Sequence, residues 1–294
     1  MAQQQAATAI AEPTSRYIDL NGLRLHYLDW GGDPERRTFV LLHGGSANSH
    51  WWDFVAPQLA AYGHTVALDF RGHGHSQWSR PPHYGPQAYL QDARGFIESL
   101  GTHVVLVGHS MGGAVAQWVA VSKPELLEAL VLVDSPHGPP PLWRRLMWRW
   151  RRRAHPPGTR PELKSADDIR RKFRLSPPGT YLSKQELDQL AMHSALLLTN
   201  GNWAFRFDPE TRAWRRMGGS MERPRLRGLG LPILILRGAE STLVSAAHAH
   251  RMHRRIRGAV YKEIPRAFHH VPLDNPGDTA AAIVDFVESM CTRR

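Results

Sequence analysis

Ser110 sits inside Gly108-His109-Ser110-Met111-Gly112-Gly113, between an apolar run, His103–Val107, and a helix-like stretch, Met111–Val121. A serine framed by glycines on a sharp strand-to-helix turn is an arrangement for nucleophilic chemistry. The turn forces strained backbone geometry on the serine and lifts its hydroxyl clear of the chain, and the glycines admit the close backbone approach this requires. The Met111 N–H, at the start of the following helix, lies beneath the hydroxyl. A second loop, His43-Gly44-Gly45-Ser46, follows the apolar run Thr38–Leu42. Such a loop brings another N–H over the nucleophile, so Gly45 and Met111 are expected to form a two-donor oxyanion hole. Preorganised donors of this kind each contribute about 2.7–4 kcal/mol to a transition state.

The elements that must position these groups are visible as short apolar runs ending in turns. Residues 16–31 alternate around Asn21-Gly22, a hairpin signal. Thr38–Leu42, Thr65–Phe70, His103–Val107, Ala129–Val133, Leu231–Leu236 and Ala259–Ile264 follow. Helix-like stretches lie between most of them: Trp52–Ala61, Pro86–Leu100, Met111–Val121, Ser245–Arg257 and Asp278–Met290. Apolar strands alternating with helices imply an α/β fold, with a mostly parallel eight-stranded sheet covered on both faces. The alternation breaks over residues 137–229, which are rich in Pro clusters and helical stretches and contain no convincing strand. That segment is expected to be a helical insertion after the sixth strand. The core is then 16–136 with 230–294, and residues 1–15 form a frayed tail.

The chain has 294 residues, one cysteine (Cys291) and a formal net charge of +11. One cysteine excludes an internal disulfide framework and a Cys-based zinc site. No run of about 18–20 apolar residues suggests a membrane span, and the N-terminus does not resemble a secretory signal. A soluble, cytoplasmic protein is expected. A basic chain suggests a nucleic-acid partner, but the excess is local. Residues 137–229 hold 20 Lys and Arg against 8 Asp and Glu, and the remainder holds 17 against 18. No nucleic acid is therefore expected as a partner. Leu142–Arg153, with Trp143, Leu146, Met147 and Trp150 on one helical face among arginines, is expected to be a helix with a solvated basic face, and the alternative is that it meets an anionic membrane surface or draws in anionic substrates.

Taken together, His43-Gly44, Asp69-Phe70-Arg71-Gly72-His73-Gly74-His75-Ser76 and Gly108–Gly113 resemble the α/β-hydrolase superfamily, over about residues 16–136 and 230–291. The resemblance implies that Asp69 and Arg71 hold a structural turn. It implies a serine–acid–histidine order along the chain. The family's histidine stands five residues before an acid and seven before a proline, which Asp274 and Pro276 satisfy for His269, with His270 as the rival. The usual glycine before that histidine is Phe268 here. The family's acid usually stands three or four residues after the glycine of the Arg237-Gly238 loop, where this chain has Ser241 and Thr242. Asp134, at the end of the sixth strand, takes that role in relatives such as haloalkane dehalogenases and certain lactonases. Asp134 is the expected acid, and Glu240 is the alternative.

The resemblance implies a cap formed by the insertion, and an esterase or lactonase acting on a small-molecule substrate without a cofactor. C–C bond or thioester cleavage, or a non-catalytic binding role, stand as alternatives. Candidate substrate contacts are Trp51, Trp52 and His109 beside the site, and Trp143 and Trp203 in the insertion. His248, His250 and His253 share one helix at a spacing that does not converge, so no metal site is expected. Oligomeric state is not legible.

Overall fold

A computed structural model describes residues 12–135, 160–213 and 225–291. Its main sheet has eight strands: β1 (Thr14–Leu20), β2 (Leu23–Asp29), β3 (Thr38–Leu42), β4 (His64–Leu68), β5 (Val104–His109), β6 (Leu127–Val133), β9 (Ile233–Gly238) and β10 (Val260–Ile264). The spatial order is β1-β2-β4-β3-β5-β6-β9-β10. The β1–β2 and β2–β4 pairs are antiparallel and every other pair is parallel. Asn21 and Gly22 take positive φ at the hairpin turn.

The central strands are apolar on both faces because both faces are covered. Along β5, Val105 and Val107 enter one core while Val104 and Leu106 enter the other; β6 divides Val131 and Val133 from Leu130 and Leu132 in the same way. This period-two division is what a doubly covered parallel sheet requires. On one side pack α1 (Ala56–Ala60) and the C-terminal α8 (Pro276–Cys291), through Leu59, Ile283 and Val287. On the other lie α2 (Pro86–Ser99) and α3 (Met111–Ser122), through Phe96, Ile97, Val115 and Val119. The helix α6 (Ala246–Arg255) joins this side through Met252.

Between β6 and β9 the described residues form α4 (Ala166–Lys172), α5 (Lys184–His193) and a two-stranded antiparallel sheet of β7 (Ala195–Leu197) and β8 (Trp203–Phe205). This sheet corrects the expectation of no strand in the insertion. Its strands are three residues long, too short for an alternating pattern, and the turn between them closes through Leu198 N–H to Asn202 O. Two further boundaries move. The hairpin begins at Thr14, inside the segment expected to be frayed, because Thr14 pairs with Asp29. The stretch Trp52–Ala61 divides into a 3₁₀ turn, Ser49–Trp52, capped by the Asn48 side chain, and the separate helix α1. The basic segment Leu142–Arg153, with Trp143, Trp148 and Trp150, lies outside the described residues, as does Trp214. Among the described residues no helix is long and apolar enough to cross a membrane.

One buried ion pair ties the loop after β4 to α2. Arg71 Nε and Nη2 donate to the two oxygens of Asp92 at 2.5 and 2.6 Å, and Asn21 Nδ2 adds a third bond at 3.0 Å. Arg71 is 4% and Asp92 0% exposed, so neither has water as a substitute partner. Asp92→Asn strands a buried guanidinium and is expected to lower unfolding free energy by about 3–5 kcal/mol in urea denaturation. Replacing both residues by apolar ones of similar volume is expected to recover most of that loss.

Candidate active site

Ser110 joins β5 to α3 with φ +53° and ψ −111°. A non-glycine residue there is strained, and surrounding contacts must hold it. Its N–H donates to Val133 O at 3.1 Å, and its carbonyl accepts from Ser135 Oγ at 3.0 Å. A Cβ on Gly112 would strike the Leu42 and His43 carbonyls, so only glycine lets α3 start this close to the end of β3.

The turn meets two groups from distant parts of the chain. Ser110 Oγ lies 3.0 Å from His269 Nε2, and His269 Nδ1 lies 2.6 Å from Asp134 Oδ2. Asp134 directly follows β6, and His269 stands in the loop between β10 and α7 (Val271–Asp274). The structure thus brings together the three residues singled out from sequence. Glu240 is exposed and accepts from Tyr181 Oη of the insertion at 2.6 Å. His270 Nε2 donates to Pro177 O at 3.0 Å and has no bond to Ser110.

Asp134 is 1% exposed. Burial pushes its carboxyl up to about 7, opposed by donors from Ser241 and Gly238 and by the Arg237 charge. Ser241 Oγ donates to Oδ2 at 2.7 Å and Gly238 N–H to Oδ1 at 3.2 Å. Ser241 occupies the position where the resembling family keeps its acid. In this chain that position supplies a donor to Asp134, at the end of the neighbouring strand. The sequence pointed to the vacancy at 241 and gave no signal of the hydroxyl's part.

The loop over Ser110 is oriented by His43, whose part in the His-Gly-Gly motif carries no sign of this role in the sequence. His43 Nε2 accepts from Phe70 N–H at 3.1 Å, so the proton is on Nδ1, which donates to Gly44 O at 2.7 Å. In a trans peptide the N–H points opposite to the carbonyl. Holding Gly44 O down onto His43 therefore aims the Gly45 N–H the other way. A Cβ on Gly44 would sit 3.4 Å from Ser110 Cβ, and one on Gly45 3.7 Å from Met111 Sδ, so the loop lies against the nucleophile turn. Among the described residues neither the Gly45 nor the Met111 N–H donates to a protein acceptor. Gly45 is exposed and Ser110 partly so, which leaves both reachable from outside.

The histidine loop is held from two sides. Asp274 Oδ2 accepts from Phe268 N–H at 2.8 Å, and Oδ1 from Thr180 Oγ1 and Tyr181 N–H at 2.5 and 2.9 Å. The Phe268 ring stacks on Tyr181, over Gly179, where a Cβ would meet the ring at 3.0 Å. A glycine in the insertion thus makes room for the side chain that replaces the family's usual glycine.

The expected substrate contacts separate. Trp52 is 0% exposed and lies wholly within the core beneath the sheet, which removes it as a pocket wall. Trp203 pairs with Leu163 and Leu197 and packs on Leu163, Ile169 and Ala191, so its place is in the scaffold of the insertion. Trp143 lies outside the described residues. Trp51 and His109 remain beside the site. His109 Nε2 donates to His269 O at 2.9 Å, which leaves Nδ1 as a bare acceptor. Burial and the neighbouring histidines hold its pKa well below the ordinary value. His109 Nδ1, His270 Nδ1 and Trp51 Nε1 are buried with no hydrogen-bond partner among the described residues. His250 and His253 pack on Tyr261, and His253 donates to Ala259 O.

The profile of the alpha/beta hydrolase family matches residues 39–282. An esterase of Mycobacterium tuberculosis is 29% identical over 276 residues, covering 91% of this chain and 86% of that protein. The mouse sn-1-specific diacylglycerol lipase ABHD11 is 30% identical over 282 residues, covering 92% and 87%. Among solved structures, that of E-2-(acetamidomethylene)succinate hydrolase superposes with a TM-score of 0.78 at 24% identity, covering 94% of this chain and 99% of that one.

The Asp134 environment yields a measurable expectation. A carboxyl raised by burial and partly restrained by Ser241 releases its proton near pH 7. Ser241→Ala removes a donor that favours the ionised form, so the midpoint moves to higher pH. A carbon-13 NMR titration of the Asp134 carboxyl reads both values.

Proposed function

The chain belongs to the alpha/beta hydrolase family, and from that premise we propose that it is a serine hydrolase cleaving a small-molecule carboxylic ester or lactone through an acyl-enzyme on Ser110. The observation that carries this reading is the continuous relay from Ser110 Oγ through His269 to Asp134, at 3.0 and 2.6 Å, beside two uncommitted backbone donors. The full-length likeness to an esterase and a lipase supports ester chemistry over other uses of the same residues.

In this reading His269 Nε2 takes the hydroxyl proton as Ser110 Oγ attacks the acyl carbon. The developing oxyanion is held by the Gly45 and Met111 N–H groups. Asp134 accepts from His269 Nδ1–H, fixing the tautomer and stabilising the imidazolium. The tetrahedral species collapses as His269 delivers the proton to the leaving oxygen, and an alcohol departs, or the opened end of a lactone is released from the carbonyl. Water then attacks the acyl-enzyme with His269 again as base, and the carboxylic acid leaves with Ser110 restored.

The segment between β6 and β9 acts here as a cap. Its support is the set of bonds from Pro177, Thr180 and Tyr181 to His270, Asp274 and Glu240, all beside the histidine loop. Trp51 and His109 are the proposed wall, with unpaired polar atoms that suit a substrate bearing hydrogen-bonding groups near the scissile bond.

Hydrolysis of p-nitrophenyl esters and a lactone series tests the reading. Ser110→Ala is expected to lower kcat by at least roughly four orders of magnitude, and Asp134→Asn by about 10⁴-fold. Glu240→Gln is expected to leave turnover within about twofold, as for an exposed surface change. Wild-type-like hydrolysis by Ser110→Ala would refute the assignment. Loss of activity in Glu240→Gln, with Asp134→Asn intact, would move the acid to Glu240.

A further inference from the structure

Outside the relay, one other cluster of side chains converges in a way the chain order does not suggest. His50 lies in the 3₁₀ turn Ser49–Trp52, Asp53 directly follows that turn, and His193 is the last residue of α5 in the insertion. His50 Nδ1 lies 2.9 Å from Asp53 Oδ2, and His193 Nε2 lies 3.9 Å from the same oxygen. One ligand atom from each residue falls within 4.8 Å of the others. The two imidazoles are stacked, with centroids 3.8 Å apart and planes at 19°.

We propose that His50, Asp53 and His193 form a binding site for a divalent transition-metal ion of the zinc, nickel or copper class, bridging the loop that follows Gly45 to helix α5 of the insertion. The inference is independent of the hydrolase reading. Two imidazole nitrogens and one carboxylate oxygen are a donor set for borderline transition metals, whereas magnesium and calcium favour all-oxygen sets. With metal–ligand bonds of about 2.0–2.2 Å, adjacent donors of a tetrahedral zinc site lie about 3.3 Å apart. The observed 2.9 and 3.9 Å straddle that spacing. Ligation requires the rings to swing out of their stack, because the nitrogen lone pairs lie in the ring planes and must converge on one point.

The backbone on both sides is already fixed, so that side-chain motion is the main rearrangement. Asn48 Oδ1 accepts from His50 N–H at 3.1 Å, while its Nδ2 donates to His193 O at 3.2 Å. Ser49 N–H donates to buried Asp69. The side chains of His50, Asp53 and His193 are 17%, 27% and 44% exposed, which gives an ion a path in. His193 stands at the C-terminal, negative end of a ten-residue helix, which favours a cation.

The test is calorimetric titration of the metal-stripped full chain with zinc chloride alone, and separately with magnesium chloride. Wild type is expected to show one saturable zinc site and no comparable magnesium binding. His50→Ala and His193→Ala are expected to weaken that site at least tenfold, while His248→Ala leaves it unchanged. Asp53→Asn, which keeps the side-chain shape, provides a further ligand deletion if either histidine variant folds poorly, as judged by its metal-free melting curve. Zinc should raise the melting temperature of wild type and of His248→Ala, with no such rise in the ligand variants. Zinc affinity unchanged in the ligand variants, absence of a saturable zinc site in wild type, or magnesium binding of equal strength would each overturn the proposal.

Discussion

The left-handed backbone at Ser110 is the constraint on which the site depends. No serine adopts φ +53° without compensation, and here the compensation is tertiary. Val133 and Ser135 bond the Ser110 peptide groups from the adjoining strand, and Gly112 lets α3 begin against the end of β3. These contacts set the ends of β3, β5 and β6 at a common level. The glycine loop after β3, the Ser110 turn after β5 and the Asp134 carboxylate after β6 then meet at one edge of the sheet. Asp134 is itself held at φ +40°, so two of the three relay residues stand in backbone conformations that the sheet imposes on them.

Three buried aspartates show how partners decide what one side chain does. Asp92 meets a guanidinium through two bonds and serves as a structural anchor. Asp69 accepts from His26 Nδ1 and from the Ser49 and His75 N–H groups, and these interactions hold its carboxyl well below the usual range despite full burial. Asp134 accepts from Ser241, Gly238 and His269, yet burial prevails and its carboxyl rises to about 7. The first two shape loops through these bonds. The third sits where a change of charge on a neighbouring imidazole is felt most strongly, with little water to screen it.

The insertion is joined to these loops through side chains on several sides. Thr180 and Tyr181 meet Asp274 below the histidine loop, Asn48 reaches the end of α5, and Asp208 accepts from Tyr84 and Arg80 in the segment after β4. Movement of α5 would therefore be felt in the segment that carries Gly45. The basic excess of the whole chain also falls within residues 137–229, next to a core that is close to neutral.

Much of this was legible along the chain because the signals are local. Gly108 to Gly113 encode a turn, and the apolar runs encode strands buried on both faces. Asp274 and Pro276 distinguish His269 from its neighbour through a resemblance in spacing. For the acid the chain alone leaves Asp134 and Glu240 open, because nothing local shows that the first is buried against His269 and the second exposed against Tyr181. The two short strands of the insertion carry too few residues for a pattern, and Trp52 reads like a pocket wall until packing seals it in the core. Ser241 behind Asp134, His43 beneath Gly44, and the meeting of His50 with His193 have no local signature. By itself the sequence determined the glycine-framed turn at Ser110 and the strand–helix order, because those follow from neighbouring residues and backbone sterics. Only the tertiary structure decided the partners of Asp134, the aim of the Gly45 N–H and the side chains facing the insertion, because each depends on atoms that approach from distant parts of the chain.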